Sequence, residues 1–201
     1  MSPARIYLEE GARSVFAVAL DWPGWCRRGP TGDDALRALD AYRGRYGTVA
    51  GAGFAPGTLE VIGTVPGTRT TDFGAPDARG PWDDEPPTGA ELQRQVGLLE
   101  SAWTYFDQVV AASPLTLRKG PRGGGRDRDA IADHVREAER AYAAKVGGRV
   151  PPRTPLPEHR AIIAEALLVG PDGTRWPVGY ALRRLAWHVL DHAWEIEDKR
   201  Q

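Results

Sequence analysis

The chain has 201 residues, with 26 Lys or Arg against 27 Asp or Glu, a formal net charge of −1 and a single cysteine. Without a basic patch or tail there is little to neutralise a phosphate backbone, so nucleic acid is not an expected partner. One cysteine excludes an internal disulfide, MSPARIYLEE lacks the apolar core of an export signal, and no apolar run is long enough to cross a bilayer. A soluble cytoplasmic protein, of one large domain or two small ones, is therefore expected.

Apolar segments over Ile6 to Glu10 and Ser14 to Leu20 flank Glu10-Gly11-Ala12-Arg13 and predict a hairpin turning at Gly11. Trp22-Pro23-Gly24-Trp25 is a turn signature, and Trp25 to Arg28 predicts a third strand. Thr31, followed by Asp33 and Asp34, supplies a cap and an acidic first turn for a helix carrying Ala35, Leu36, Leu39 and Tyr42. Thr58 to Val65 predicts a further strand.

This order of elements, with Tyr7-Leu8-Glu9-Glu10, then DWPGWCRRG over residues 21–29, then Asp33-Asp34-Ala35-Leu36, resembles the HicB-like module. The resemblance implies a small β-β-β-α-β unit over residues 1–70, of a kind often found in antitoxins paired with a small RNA-cleaving toxin. No DNA-binding appendage of the sort such antitoxins add is evident. The module is expected first as a structural or docking unit, for a protein partner or a second copy of the chain, and second as toxin-neutralising.

Residues 71–89 are dense in Gly, Pro and Asp without sustained periodicity, which predicts a linker or a long surface excursion with Trp82 as a packing anchor. From Ala90 the pattern turns helical, with Leu92, Val96, Leu99, Trp103, Phe106 and Val110 at steps of four and three. Thr88 and Glu91 predict a capping box at its start, and Ser113-Pro114 its end. After the turn-rich stretch Lys119 to Gly125, Asp127 or Asp129 opens a second helix carrying Ile131, His134, Val135, Ala138 and Tyr142, which Gly147-Gly148 stops. A third helix runs from about Pro157 to Val169 with Ile162, Ile163, Ala166 and Leu167 buried. His159, between Glu158 and Arg160, is expected on its exposed side. Gly170-Pro171-Asp172-Gly173 breaks the chain, and Trp176-Pro177 leads into a final helix.

That final helix carries the chemistry. His188 and His192 stand four apart in a run free of Gly and Pro after Tyr180, so they share a face. With Leu185 at the centre of the buried stripe, Ala181, Val189, His192 and Ile196 fall within about 40° of it and His188 at about 60°, while Trp187, Asp191, Trp194 and Asp198 lie opposite. Two inward imidazoles need partners, because burying them unpaired costs free energy. They are either hydrogen-bonded core histidines or metal ligands, and the zinc-protease Glu is missing, Val189 standing in its place. His134, on the apolar stripe of the second helix, is the third imidazole a metal site requires. Glu195, and Glu137 one turn after His134, are candidates to orient a ring or shuttle a proton.

Four helices with one inward histidine on the second and an inward HxxxH on the fourth are similar to the DinB-like (YfiT-like) metal-binding bundle over roughly residues 90–201. The residues that carry the likeness are ADHVREAERAY over 132–142 and WHVLDH over 187–192. The resemblance implies a divalent metal, usually zinc or nickel, on His134, His188 and His192. It further implies, for some members, transferase or isomerase activity with a low-molecular-weight thiol. The sequence thus leads to an α+β chain, module then bundle, that acts as a metal-dependent transferase or hydrolase on a small molecule. The alternative is a non-catalytic binding or regulatory protein. Trp22, Trp25 and Tyr46 of the module are candidates for the rim of a substrate pocket, although such aromatics are usually core.

Overall fold

The computed structural model describes residues 2–120, 124–170 and 174–200. The expected turn at 119–125 and break at 170–173 therefore fall partly outside the described residues. The apolar segments near the start form β1 (Ala4–Glu10), β2 (Val15–Ala19) and β3 (Cys26–Gly29), joined by β4 (Leu59–Pro66) in a sheet of order β3-β2-β1-β4. β1 and β2 are antiparallel with Ile6 opposite Ala19, whereas β4 runs parallel to β1. A parallel return needs a crossover. Helices α1 (Gly32–Ala41) and α2 (Arg43–Ala50) supply it. Thr31 caps α1 by accepting from the Asp34 amide. The second helix has no counterpart in the sequence reading, because RGRYGTVA carries two glycines and little apolar pattern. It forms because Tyr46 and Val49 are buried, tertiary packing overriding weak propensity.

The sheet is buried on both faces. Ala4, Ile6, Val15, Ala17 and Ala19 join one core with Trp25, Leu39, Tyr46 and the helical half. Tyr7, Phe16, Val18, Leu20, Cys26 and Val65 face the other way and are covered by Ala75, Ala78, Trp82 and Trp187. The Pro/Gly/Asp-rich segment thus lies fastened across the sheet. Trp82 packs on Tyr7 at 4.6 Å between centroids, and Glu9, fully buried, accepts from the Thr71 hydroxyl and the amides of Asp77 and Ala78. α3 (Arg69–Phe73) is a short helix at the start of this segment, Pro81–Asp83 form a 3-10 turn, and Asp83 forms a buried ion pair with Arg183. Polar anchors on distant elements hold this stretch, and no periodicity announces them.

The helical half contains α4 (Gly89–Ala111), α5 (Arg128–Ala143), α6 (Leu156–Val169) and α7 (Val178–Lys199). The expected capping box on α4 is not formed: Thr88 makes no side-chain cap, and Glu91 accepts from Arg94 and Gln95 instead. His159 is buried, a correction to the exposed position expected for it. With Ile163 and Leu167 it makes an i, i+4, i+8 stripe, and its Nε2 lies 3.3 Å from Glu139, whose other oxygen accepts from Trp103 Nε1.

α7 is the central element, buried on every side from Gly179 to Leu190. Its face opposite the histidine side meets the N-terminal half. Trp187 stands edge-on to Phe16, and Trp194 packs against Tyr42 at 5.0 Å between centroids. Trp25 and Tyr46 stack within the module as buried core, and half-buried Trp22 packs on Phe54 at the edge of that core. No helix among the described residues is long and apolar enough to cross a membrane.

Gly24 fixes how closely the Pro-Gly turn approaches α7. Its φ is +95°, and a Cβ there would sit 2.7 Å from Leu190 Cδ1 and 3.2 Å from the Ala186 Cβ. Gly24→Ala therefore incurs backbone strain and overpacking together, about 1–3 kcal/mol each. The unfolding free energy is expected to fall by that combined amount, read as a lower urea midpoint with the m-value unchanged.

Candidate metal centre

The three histidines converge. One ring nitrogen from each of His134, His188 and His192 lies within 4.8 Å of the others. His134 comes from α5 and the other two from successive turns of α7. His188 Nε2 is 3.3 Å from His134 Nε2, and the ring centroids of His192 lie 4.7 Å from those of His188 and 5.0 Å from those of His134. A tetrahedral ion with Zn–N bonds of about 2.0–2.1 Å places its donor atoms roughly 3.3 Å apart, so the His134–His188 spacing fits such an ion.

Glu195 orients one ring. Its Oε2 is 2.7 Å from His192 Nδ1, and its Oε1 accepts from Lys199, one turn further along α7. This occupies Nδ1 and leaves His192 Nε2 as the nitrogen free for an ion, the arrangement in which a carboxylate sets tautomer and ring orientation. Lys199 was not singled out in the sequence, although its i+4 spacing from Glu195 is the available signal. Glu137 does not join the site. It is exposed, pairs with Arg140 and has no hydrogen bond to the three rings among the described residues. It sits about 160° round α5 from Val135, on the outer surface.

Burial, then the neighbouring His192 and His134 rings, push the His188 pKa down to about 2, and burial with His192 lowers that of His134. Glu195 is drawn down to about 2, chiefly by the hydrogen bond from His192 and also by Lys199. Two of the rings are thus held as neutral imidazoles, the form a metal requires. His188 Nδ1 is buried with no partner among the described residues. Around it, Tyr142 stands 5.8 Å from the His188 ring, Trp176 packs behind Tyr142, and the Arg184 guanidinium lies 5.6 Å from Tyr142. Asp191, between His188 and His192 on α7, pairs with Arg27 of β3 at 3.2 Å.

Because the folded-state pKa of His188 is below the free value of about 6.5, the unfolded chain binds more protons under that pH. Its contribution to the stability of the metal-free fold is therefore complete above about pH 6.5 and is lost toward pH 2, at about 1.4 kcal/mol per unit. Glu195 adds a loss of the same sign at lower pH. Urea midpoints of metal-free protein should fall between about pH 8 and pH 5, and His188→Leu should flatten that slope.

Compared with known proteins, the chain matches no family model, no curated protein and no solved structure. What the geometry defines is a mixed α+β chain with a three-imidazole cluster able to hold a metal ion.

Proposed function

We propose that the chain is a divalent-metal protein of the DinB-like kind, with a HicB-like module over residues 1–70, holding zinc or nickel on His134, His188 and His192. In this reading it acts on a small molecule as a metal-dependent transferase or hydrolase. The observation that carries it is the meeting of imidazoles from α5 and α7 within 4.8 Å. Three neutral nitrogen donors leave positions for water or the thiolate of a low-molecular-weight thiol, as in catalytic rather than closed structural sites. When bound, the metal supplies the Lewis acidity that lowers the pKa of a water or thiol beside it.

The chain's residues do the positioning. Glu195 accepts a hydrogen bond from His192 Nδ1–H, and Lys199 donates to Glu195 in turn. Tyr142, backed by Trp176, covers His188 on one side and excludes water there. Stoichiometric metal is expected in wild-type protein purified without chelator, with large losses in His134→Ala, His188→Ala and His192→Ala. Glu195→Gln keeps the ligands but should weaken metal binding about 10- to 100-fold, read by chelator competition. Wild type that stays metal-free after added zinc or nickel removes the reading. Small thiols should change the absorption of the cobalt-loaded protein, and a silent titration removes the thiol from it.

A second reading, a non-catalytic docking protein, has one observation in its favour. β4 is an outer strand of the sheet, with Val61 44% and Ile62 38% exposed, and apolar edges of this kind pair with other chains. Metal-free wild type that self-associates, with Ile62→Lys remaining monomeric, would support it.

A further inference from the structure

A cleft of about 280 Å³ lies where the two halves of the chain meet at the start of α7. Gly179 and Arg183 line it from that helix, about 180° and 140° round the axis from His188, so it stands apart from the histidine cluster. Arg5 and Asp21 close it from the sheet side, Trp82 and Glu85 from the segment laid across the sheet, and Arg94 and Gln95 from the first turns of α4.

Ten buried side-chain nitrogen or oxygen atoms have no hydrogen-bond partner among the described residues, and four of them belong to side chains that line this cleft. They are Trp82 Nε1, Arg94 Nη1, Arg183 Nε and Gln95 Oε1. A folded chain leaves few such atoms, and a concentration of them at one place calls for an explanation. Gln95 is only 4% exposed and Arg183 5%. The guanidinium charges are already matched: Arg5 pairs with Asp21, Arg94 with Glu91 and Arg183 with Asp83. Gln95 donates its amide to Glu91, which leaves its carbonyl oxygen as the free end. Glu85 is exposed and has no hydrogen-bond or ion-pair partner among the described residues. The unanswered groups of the cleft are thus three N–H donors and two acceptors, one of the acceptors charged.

We propose that this cleft binds a free α-amino acid by its zwitterionic head. The ligand's carboxylate accepts from Trp82 Nε1, Arg94 Nη1 and Arg183 Nε, and its ammonium donates to Gln95 Oε1 and Glu85. A simple anion would leave both acceptors unanswered and set its charge beside Asp21, Glu85 and Glu91. A simple cation would leave three donors unanswered among three guanidinium groups, whereas a zwitterion meets both sets. The volume suits it: at roughly 30 Å³ for a water-sized group the cleft holds about nine, near the heavy-atom count of a small amino acid. Because the walls come from the sheet, the segment across it, α4 and α7, the ligand ties the two halves together and stabilises the fold. This site does not rest on the metal-dependent reading.

The standard L-amino acids are titrated one at a time into metal-free full-length protein, read by thermal shift and calorimetry. Metal is left out because free amino acids would themselves ligate it. At least one is expected to bind and to raise the melting temperature. Its amide, which lacks the carboxylate, and its N-acetyl form, which lacks the ammonium, should each bind about tenfold more weakly. Glu85→Gln should weaken the amino acid and leave the N-acetyl form nearly unchanged. Trp82→Phe, which keeps a ring against Tyr7 and removes the N–H, should weaken the amino acid and leave the amide nearly unchanged. Glu85 is exposed, so an unchanged melting curve without ligand confirms that its variant folds, and that variant decides the question should Trp82→Phe fail to fold. Binding by none of the amino acids, the result for a cleft that holds only water, overturns the proposal, as does an amide or N-acetyl form that binds as tightly as its parent. Binding indifferent to both substitutions overturns the placement in this cleft.

Discussion

Metal-free protein carrying His188→Leu is expected to melt at a higher temperature than metal-free wild type and to take up no metal. His188 is 7% exposed, its Nδ1 has no partner among the described residues, and its Nε2 faces only another imidazole. A buried polar group left unsatisfied costs about 1–3 kcal/mol. Leucine is close in volume and would meet the rings of Tyr142 and Trp187, whose centroids lie 5.8 and 6.1 Å from that of His188. Relief of that cost corresponds to a rise of roughly 2–10 °C for a chain of this size. Added zinc then reverses the order, because an ion at a thousandfold excess over its Kd stabilises wild type by about 4 kcal/mol and the variant not at all. A hydrogen-bonded core histidine gives the opposite result, destabilisation on replacement whether or not metal is present. A lower melting temperature for metal-free His188→Leu would therefore remove the metal centre in favour of a packed imidazole trio. The expected outcome, stability traded for a site, is the usual sign of a functional residue.

The histidine cluster is legible in the sequence because it rests on helical spacing. His188 and His192 at i and i+4, and His134 on an apolar stripe, could be placed inward without knowing how the helices pack. The same spacing sets Glu195 beside His188, whereas its carboxylate pairs with His192. Where charge was read ahead of spacing the reading failed: Glu158 and Arg160 made His159 look solvent-facing, yet its interval to Ile163 and Leu167 is that of a buried stripe. Other features had no local signal. α2 is patterned weakly and exists because Tyr46 and Val49 find a core, and residues 71–89 are held by Glu9 and Arg183, far away in the chain.

Residues 90–201 produced without the first 89 should not fold cooperatively, even though they contain all three histidines. α7 would lose the surface that covers its second face. Trp187 would no longer meet Phe16, Trp194 would lose Tyr42 and the guanidinium groups of Arg27 and Arg45, and Leu190 would be uncovered where Gly24 now approaches it. Arg183, buried with Asp83 as its ion-pair partner, would be stripped of that carboxylate. Burying a leucine is worth about 1.5–3 kcal/mol. Truncating a buried tryptophan costs about 3–5 kcal/mol. The combined loss is on the order of 10 kcal/mol, comparable with the whole stability of a domain, about 5–15 kcal/mol. The fragment should retain helical far-ultraviolet circular dichroism but show no sharp thermal transition and no stoichiometric metal, since the rings of α5 and α7 are brought together by packing. Mixing in residues 1–89 should restore both. A fragment that melts cooperatively and binds metal by itself would instead make the bundle an autonomous domain, and the contacts along the sheet side of α7 a later addition to a site already complete.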